Sequence, residues 1–148
     1  MTITAASGRD LAQIMALEEQ FTDARWSARS WAEELGADRG LTLVAKDPWG
    51  RLLGVATFHC VEDVADLNRV VVAPAARRTG LARRLLAAGF EWAGQRGAER
   101  VLLEVEAGNT PAVTLYESLG FAVLARRANY YGAGLDALVM ALPLESDT

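Results

Sequence analysis

The first residues whose types and spacing suit chemistry lie in the turn at 77–82, which reads Arg-Arg-Thr-Gly-Leu-Ala. The turn follows a β-branched run at 70–72 and precedes apolar residues that recur at helical spacing. The small residues Gly80 and Ala82 let the backbone approach a ligand closely, and the first N–H groups of the following helix have no intrahelical partner. A glycine between a strand and a helix is also typical of an ordinary turn. The pattern as a whole favours a phosphate-binding turn.

Two further side chains suit proton transfer. Glu104 interrupts the apolar run at 101–105, and a carboxylate in a partly desolvated site can take a proton from an ammonium group, directly or through water. Tyr116 carries a phenol, which can donate a proton to a leaving group and recover it from solvent. The competing interpretations are a Glu that points from a strand into solvent and a Tyr that buries its ring on an amphipathic helix.

These three features together resemble the GCN5-related N-acetyltransferases (GNAT). Arg77, Gly80 and Ala82 fill the specified places of the Arg/Gln-x-x-Gly-x-Gly/Ala pyrophosphate loop of that family. The Leu-Glu-Val around Glu104 and the Leu-Tyr-Glu-Ser-Leu-Gly-Phe around Tyr116 are similar to the RimI-type N-terminal alanine acetyltransferases of ribosomal proteins. The resemblance covers nearly the whole chain. It implies acetyl-CoA as the co-substrate, Glu104 as the general base and Tyr116 as the general acid.

The resemblance also implies where acetyl-CoA binds. The strand that ends at Val72 and the strand that starts at Val101 are expected to splay apart and leave a slot for the pantetheine arm. Backbone groups of Val70 and Val72 are expected to pair with that arm, while the N–H near Val71 faces the acetyl carbonyl. Asn109 is similar to a cofactor-contacting Asn of the family, although Asn before Thr-Pro is also typical of a helix cap. The expected cofactor-binding residues are Val70, Val71, Val72, Arg77, Arg78, Thr79, Gly80, Leu81, Ala82, Arg83 and Asn109.

On the acceptor side, the resemblance implies a groove for a protein N-terminal peptide, with the N-terminal alanine of a ribosomal protein as the expected substrate. The expected walls of this groove are Phe21, Trp26, Tyr130 and Tyr131. The first two also suit plain packing, since large apolar side chains in a polar connection often join a core. The chain departs from the RimI-type pattern on this side, because Pro, Asp and Glu are replaced by Arg25, Ala73 and Leu135. These departures leave the choice of peptide open.

The rest of the sequence supplies the elements that position these residues. Alternating and β-branched runs predict strands over 2–5, 41–46, 52–59, 65–72, 101–105, 122–126 and 137–142. Helices are predicted between them, with Ser27 and Asn109 as N-caps of the second and the last. This order implies an α/β (α+β) fold with a mixed central β-sheet and helices on both faces, which is also the order of the GNAT fold. With no linker or repeat, we expect one domain over residues 1–148.

Composition limits the partners and the compartment. The 148 residues carry a formal net charge of −4, which argues against nucleic acid and membrane surfaces as partners, because both select a basic excess. One cysteine, Cys60, and one histidine, His59, exclude an intrachain disulfide and give no soft-metal cluster. With neither a signal peptide nor a membrane-length apolar segment in the sequence, we expect a cytoplasmic protein. We expect it to be a monomer or a weak homodimer.

Three functions remain open at this point. The leading one is acetylation of a protein N-terminus by acetyl-CoA. A second keeps acetyl-CoA but acts on a small amine, such as an aminoglycoside or a polyamine, or on a lysine side chain. A third is a CoA- or nucleotide-binding module without catalysis. A P-loop is excluded, because no Gly-Lys-Ser/Thr follows the turn at 77–82.

Overall fold

The computed structural model describes residues 1–20 and 25–145. Within these ranges the predicted strands and helices are all present, with boundaries that differ by a few residues at most. Short 3₁₀ turns precede the first and third helices. The elements are β1 (Thr2–Ala5), α1 (Leu11–Glu18), α2 (Ala28–Leu35), β2 (Gly40–Lys46), β3 (Leu52–Val61), β4 (Val64–Val72), α3 (Leu81–Gln95), β5 (Arg100–Glu106), α4 (Thr110–Ser118), β6 (Ala122–Arg127) and β7 (Ala137–Pro143).

The seven strands form one sheet in the order β1-β2-β3-β4-β5-β7-β6. The first four strands are antiparallel neighbours, β4 and β5 are parallel, and β7 is antiparallel to both β5 and β6. The parallel step requires a crossover, which α3 supplies. The predicted mixed sheet is therefore confirmed.

Two adjacent residues of β3 show that helices cover both faces of the sheet. The Thr57 hydroxyl donates a 2.7 Å hydrogen bond to Oε2 of Glu34 in α2. The next residue, Phe58, packs its ring under Gly89 of α3. Because successive side chains of a strand point to opposite faces, α2 and α3 lie on opposite sides of the sheet.

The sheet opens between β4 and β5. These strands pair only where Val64–Asp66 stands opposite Arg100–Leu102. Beyond that point β4 continues to Val72 in register with β3, and β5 continues to Glu106 in register with β7. The expected splay of the two strands is thus confirmed, and it leaves one edge of β4 without a strand partner.

Side-chain caps fix the starts of α2 and α4. The Ser27 hydroxyl accepts a hydrogen bond from the Ser30 N–H at 3.1 Å, and Oδ1 of Asn109 accepts one from the Ala112 N–H at 3.3 Å. Both predicted N-caps are confirmed. No helix in the described ranges has the length and apolar character to cross a membrane.

Candidate active site

An open cleft of about 430 Å³ lies where β4 and β5 diverge. Residues from both of these strands and from the β6–β7 hairpin line it. The polar members of the lining are Asp66, Asn68, Glu104, Arg127 and Tyr131. Two residues predicted for different roles, Glu104 and Tyr131, therefore share one cleft.

Glu104 points into this cleft from the middle of β5. Its side chain is 36% exposed, and Oε1 lies 3.3 Å from a terminal guanidinium nitrogen of Arg127. The apolar neighbours Leu103 and Val105 do not surround this carboxylate, because alternation along the strand turns those two side chains into the core on the other face. The carboxylate is accessible to an acceptor and is held by an ion pair.

Asp66 brings a second carboxyl group to the cleft. It stands opposite Leu102 in parallel register, so it shares a sheet face with Glu104 two residues further on. Burial raises the pKa of the Asp66 carboxyl above its usual range, and the Glu104 charge adds to this while His59 opposes it. Nε2 of His59, the only histidine of the chain, lies 2.9 Å from Oε2 of Glu34 in α2. This histidine therefore links β3 to the helix that covers it.

Tyr116 lies on α4 with its ring in the core. The residue is 7% exposed, and its ring centroid is 5.8 Å from that of Phe121. Burial raises the pKa of the Tyr116 phenol to about 12, although the positive charge of Arg69 acts in the opposite direction. The phenol thus stays protonated at neutral pH, as a proton donor must. Tyr116 is not among the residues that line the cleft with Glu104.

The pairing of β4 decides which of its backbone groups face the opening. The Ala73 N–H donates to the Leu53 carbonyl of β3 at 2.8 Å. Since backbone groups alternate between the two edges of a strand, Val71 also faces β3, while Val70 and Val72 face the unpaired edge. This corrects the expectation for the Val71 N–H, which the pairing with β3 turns away from the slot.

The turn before α3 has two residues in the left-handed region of backbone conformation. Gly80 has φ +80 and Arg78 has φ +63. A Cβ on Gly80 would meet nothing within 4 Å, so glycine is favoured there by its conformation and not by lack of space. Gly80 is the N-cap of α3 and has no side chain with which to cap the first N–H groups of the helix. The Thr79 hydroxyl donates to the Ala76 carbonyl at 2.5 Å and so braces the turn from within.

Two other predicted cofactor residues bond to their own chain. A guanidinium nitrogen of Arg83 donates to the Ser118 hydroxyl at 2.6 Å, which ties α3 to α4. The Asn109 side chain serves as the cap of α4. The groups that fit a phosphate-bearing ligand are the N–H groups from Leu81 to Arg83 and the nearby guanidinium side chains.

The β6–β7 hairpin carries an exposed aromatic pair. Tyr130 is 52% exposed and Tyr131 is 46% exposed, with ring centroids 5.1 Å apart at an interplanar angle of 82°. The Tyr131 N–H donates to the Leu135 carbonyl at 3.0 Å. Burial and the neighbouring Glu104 charge raise the pKa of the Tyr131 phenol. Tyr131 is the aromatic residue of this pair that reaches the cleft.

Trp26 has a packing environment. Its ring centroid lies 4.9 Å from that of Trp31, and Cζ of Arg69 lies 5.6 Å from it. Both neighbours donate hydrogen bonds to the buried carboxylate of Glu18. The Trp31 indole N–H donates at 2.9 Å, and two guanidinium nitrogens of Arg69 donate at 2.5 and 2.7 Å. Trp26 does not line the cleft, so the packing interpretation fits it better than the predicted wall. Phe21, predicted as another wall residue, lies outside the described residues.

Three polar cleft residues were not predicted from the sequence, namely Asp66, Asn68 and Arg127. The strand predicted over 122–126 ends one residue before Arg127. In the structure all six residues of β6 are exposed, so a pattern of buried and exposed residues does not indicate which of their side chains faces the cleft. In the described part of the chain, no group of three or more His, Cys, Asp or Glu side chains could hold a metal ion.

Comparison with known proteins identifies the family. A sequence model of the Acetyltransferase (GNAT) family matches residues 9–121. The [ribosomal protein bS18]-alanine N-acetyltransferase of Escherichia coli (strain K12) is 34% identical over 146 residues, which cover 97% of each chain. The crystal structure of the ribosomal-protein-S18-alanine N-acetyltransferase from Escherichia coli matches with a TM-score of 0.91 at 33% identity, over 99% of this chain and 96% of that one.

A relative with a different acceptor matches over a shorter range. The mycothiol acetyltransferase of Salinispora tropica is 38% identical over 120 residues, which cover 75% of this chain and 38% of that protein. The family match, the near-complete overlap with the Escherichia coli enzyme and the splayed strands point the same way. The chain belongs to the GNAT family of acetyltransferases.

Proposed function

We propose that this enzyme transfers the acetyl group of acetyl-CoA to the α-amino group of a protein N-terminus, with the N-terminal alanine of a bS18-type ribosomal protein as the acceptor. The similarity to the Escherichia coli bS18-alanine enzyme over 97% of both chains carries this proposal. A ribosomal-protein acceptor would place the enzyme in the cytoplasm.

The opening beside β4 supports a role in binding the pantetheine arm of acetyl-CoA. The backbone groups of Val70 and Val72 face the unpaired edge and suit an amide-bearing chain as if it were another strand. The N-terminus of α3 suits the pyrophosphate that would follow. The residues proposed to hold it are Arg77, Arg78, Gly80, Leu81, Ala82 and Arg83, with Thr79 bracing the turn and Asn109 at the start of α4.

Glu104 and Tyr116 are proposed to manage the protons of the reaction. Glu104, which is open to the cleft, takes a proton from the acceptor ammonium, directly or through water, so that the neutral amine attacks the thioester carbon. An amide C–N bond forms as the C–S bond breaks, and the nitrogen of the new amide releases its second proton to water. Tyr116 gives its proton to the departing thiolate and regains one from solvent.

The acceptor peptide is proposed to lie against the β6–β7 hairpin. Tyr131 and Glu104 line the same cleft, so an N-terminal amine at the carboxylate has an aromatic wall beside its first peptide unit. Tyr130 extends this wall outward. An aromatic surface suits a peptide backbone, whereas a polyamine needs several carboxylates to balance its charges.

Site-resolved mass spectrometry tests the proposal. The enzyme is incubated with acetyl-CoA and a peptide that begins with alanine and contains one internal lysine. We expect acetylation of the α-amine and an unmodified lysine. The matched control is the same peptide with its N-terminus blocked in advance, which we expect to remain unmodified. Acetylation chiefly at the lysine would contradict the N-terminal assignment.

The mycothiol acetyltransferase relative gives a reason to test one small-molecule alternative in the same assay. A small polyamine is offered in competition with the alanine peptide. We expect kcat/KM to be higher for the peptide. A higher kcat/KM for the polyamine would transfer the proposal to a small-molecule acceptor and leave the acetyltransferase family unchanged.

A further inference from the structure

Arg127 forms an ion pair with Glu104, the proposed general base. A terminal guanidinium nitrogen lies 3.3 Å from Oε1 of Glu104, and Cζ lies 5.2 Å from the centroid of the Tyr130 ring. The guanidinium therefore bridges the carboxylate and the aromatic wall. Both Arg127 and Glu104 line the cleft.

This position is the one that an acceptor ammonium needs. Direct proton transfer requires the α-ammonium to approach the Glu104 carboxylate closely, yet one carboxylate oxygen already faces the cation of Arg127. Two cations beside one carboxylate repel each other. An entering ammonium must therefore displace the guanidinium, at least in part.

The ion pair is weak enough to be displaced. The side chains are 53% exposed at Arg127 and 36% exposed at Glu104. Exposed pairs of this kind contribute little to stability, because water screens the charges and two long side chains lose freedom. The Tyr130 ring can keep the guanidinium by a cation–π contact after it leaves the carboxylate.

We propose that Arg127 is a resident counter-cation that the acceptor displaces, and that it thereby sets acceptor specificity; the inference rests on the proposed function. An acceptor that offers only an ammonium group replaces one cation with another and gains little. A longer peptide also offers backbone carbonyls beyond its first residue, and the displaced guanidinium beside the Tyr130 ring can donate to them, which offsets the cost of displacement. Arg127 therefore selects extended acceptors against small monoamines.

Steady-state kinetics with two acceptors tests this. An alanine-starting hexapeptide and alanine amide are compared at saturating acetyl-CoA for the wild-type enzyme, Arg127→Gln and Arg127→Lys. In Arg127→Gln we expect the KM for alanine amide to fall by about threefold, which corresponds to the usual free energy of an exposed ion pair. We expect kcat to be nearly unchanged. Preference for the peptide falls accordingly, and Arg127→Lys restores it because a cation returns.

The neighbouring arginine provides a matched control. Arg126 is also exposed and pairs with a carboxylate, but its Nε donates at 2.7 Å to Asp136 and not to Glu104. We expect Arg126→Gln to keep the wild-type preference between the two acceptors. An equal loss of preference in Arg126→Gln and Arg127→Gln would overturn the proposal, since any removed charge would then have the same effect.

Binding without turnover separates this inference from the proposed function. The affinity for alanine amide is measured by NMR titration in the absence of acetyl-CoA, with the thermal midpoint as a check on folding. Tighter binding of alanine amide by folded Arg127→Gln supports the proposal that Arg127 is a displaceable counter-cation. Unchanged or weaker binding overturns it, since Arg127 would then be a bystander or an acceptor contact. Absence of peptide acetylation by the wild-type enzyme would overturn the proposed function alone.

Discussion

Gly89 of α3 rests directly on the ring of Phe58 of β3: a Cβ built on Gly89 would fall 2.0 Å from Cζ of that ring. Phe58 is fully buried, with the Phe90 ring centroid 6.3 Å away, so the ring cannot move aside freely. The close approach brings α3 onto the sheet beside β4. It therefore limits the distance between α3 and β3 at this point.

Replacement of Gly89 by alanine should destabilise the fold. We expect Gly89→Ala to lower the free energy of unfolding by about 1–3 kcal/mol, the usual cost of overpacking, as measured by denaturant titration. The control is Gly94, also in α3, where a Cβ would meet nothing within 4 Å. Gly94→Ala should stabilise by about 0.5–1 kcal/mol through helix propensity. Equal stability of the two variants would contradict the packing argument.

Replacement of Glu104 by glutamine should affect the chemical step. Glu104→Gln keeps the shape of the side chain but removes the base, so we expect kcat to fall by about 10²–10⁴ while acetyl-CoA affinity is retained. Glu106→Gln is the control, because Glu106 lies two residues along the same strand and is absent from the cleft lining. Near wild-type turnover in Glu104→Gln would remove this residue from the mechanism.

Alkaline titration should identify Tyr116 as a late-ionising phenol. Its pKa is raised by burial from 10.0 to about 12. The folded state therefore keeps this proton between those pH values while the unfolded state loses it, so the contribution to stability is lost as pH rises through that window. We expect Tyr116→Phe to lose less stability from pH 10 to 12 and to slow turnover at neutral pH. Ionisation of Tyr116 near its ordinary pKa would contradict the burial.

Gly80 and Gly50 allow the effects of backbone strain and of ligand binding to be separated. Gly80 has φ +80 and Gly50 has φ +83, and a Cβ would meet nothing within 4 Å at either position. Gly80→Asp and Gly50→Asp should therefore be similarly strained. We expect only Gly80→Asp to weaken acetyl-CoA binding strongly, since its carboxylate would face phosphate at the start of α3. Calorimetry that shows equal affinities in both variants would contradict the phosphate assignment.

Removal of the Tyr131 ring should weaken acceptor binding. Tyr131 lines the cleft beside Glu104 but has no proposed part in proton transfer. We expect Tyr131→Ala to raise the KM for the alanine peptide more than it lowers kcat, as measured by steady-state kinetics. Trp26→Ala serves as the comparison, because Trp26 packs on Trp31 away from the cleft. A drop in kcat alone for Tyr131→Ala would instead indicate a role in the chemical step.

The elements of the fold were predictable because their determinants are local. Ser27 and Asn109 cap helices through N–H groups three residues away, and the strands follow from short apolar patterns. The turn at 77–82 was also identifiable, since a glycine with positive φ is needed between a strand and a helix. The splay of β4 from β5 came from family resemblance and not from the pattern of either strand.

The surroundings of the candidate site were not predictable in the same way. The sequence neighbours of Glu104 are apolar, yet they point away from it, and its actual partner is Arg127 on another strand. Likewise, Glu18 and Arg69 pair across 51 residues. Contacts of this kind depend on strand order and register, which short-range spacing does not determine. The environment of a catalytic carboxylate is therefore harder to predict than its position.

The short parallel junction between β4 and β5 also has a consequence for hydrogen exchange. Amides in a central strand usually exchange slowly, since neighbouring strands hold them on both sides. Val70 and Val72 lie in the fourth of seven strands, but their N–H groups face the edge that β5 leaves unpaired. These two amides should exchange as fast as those of a surface loop, while Val71 between them is protected. Saturation with acetyl-CoA should slow the exchange of both amides. Their exchange rates would then report the fraction of enzyme that has bound the cofactor.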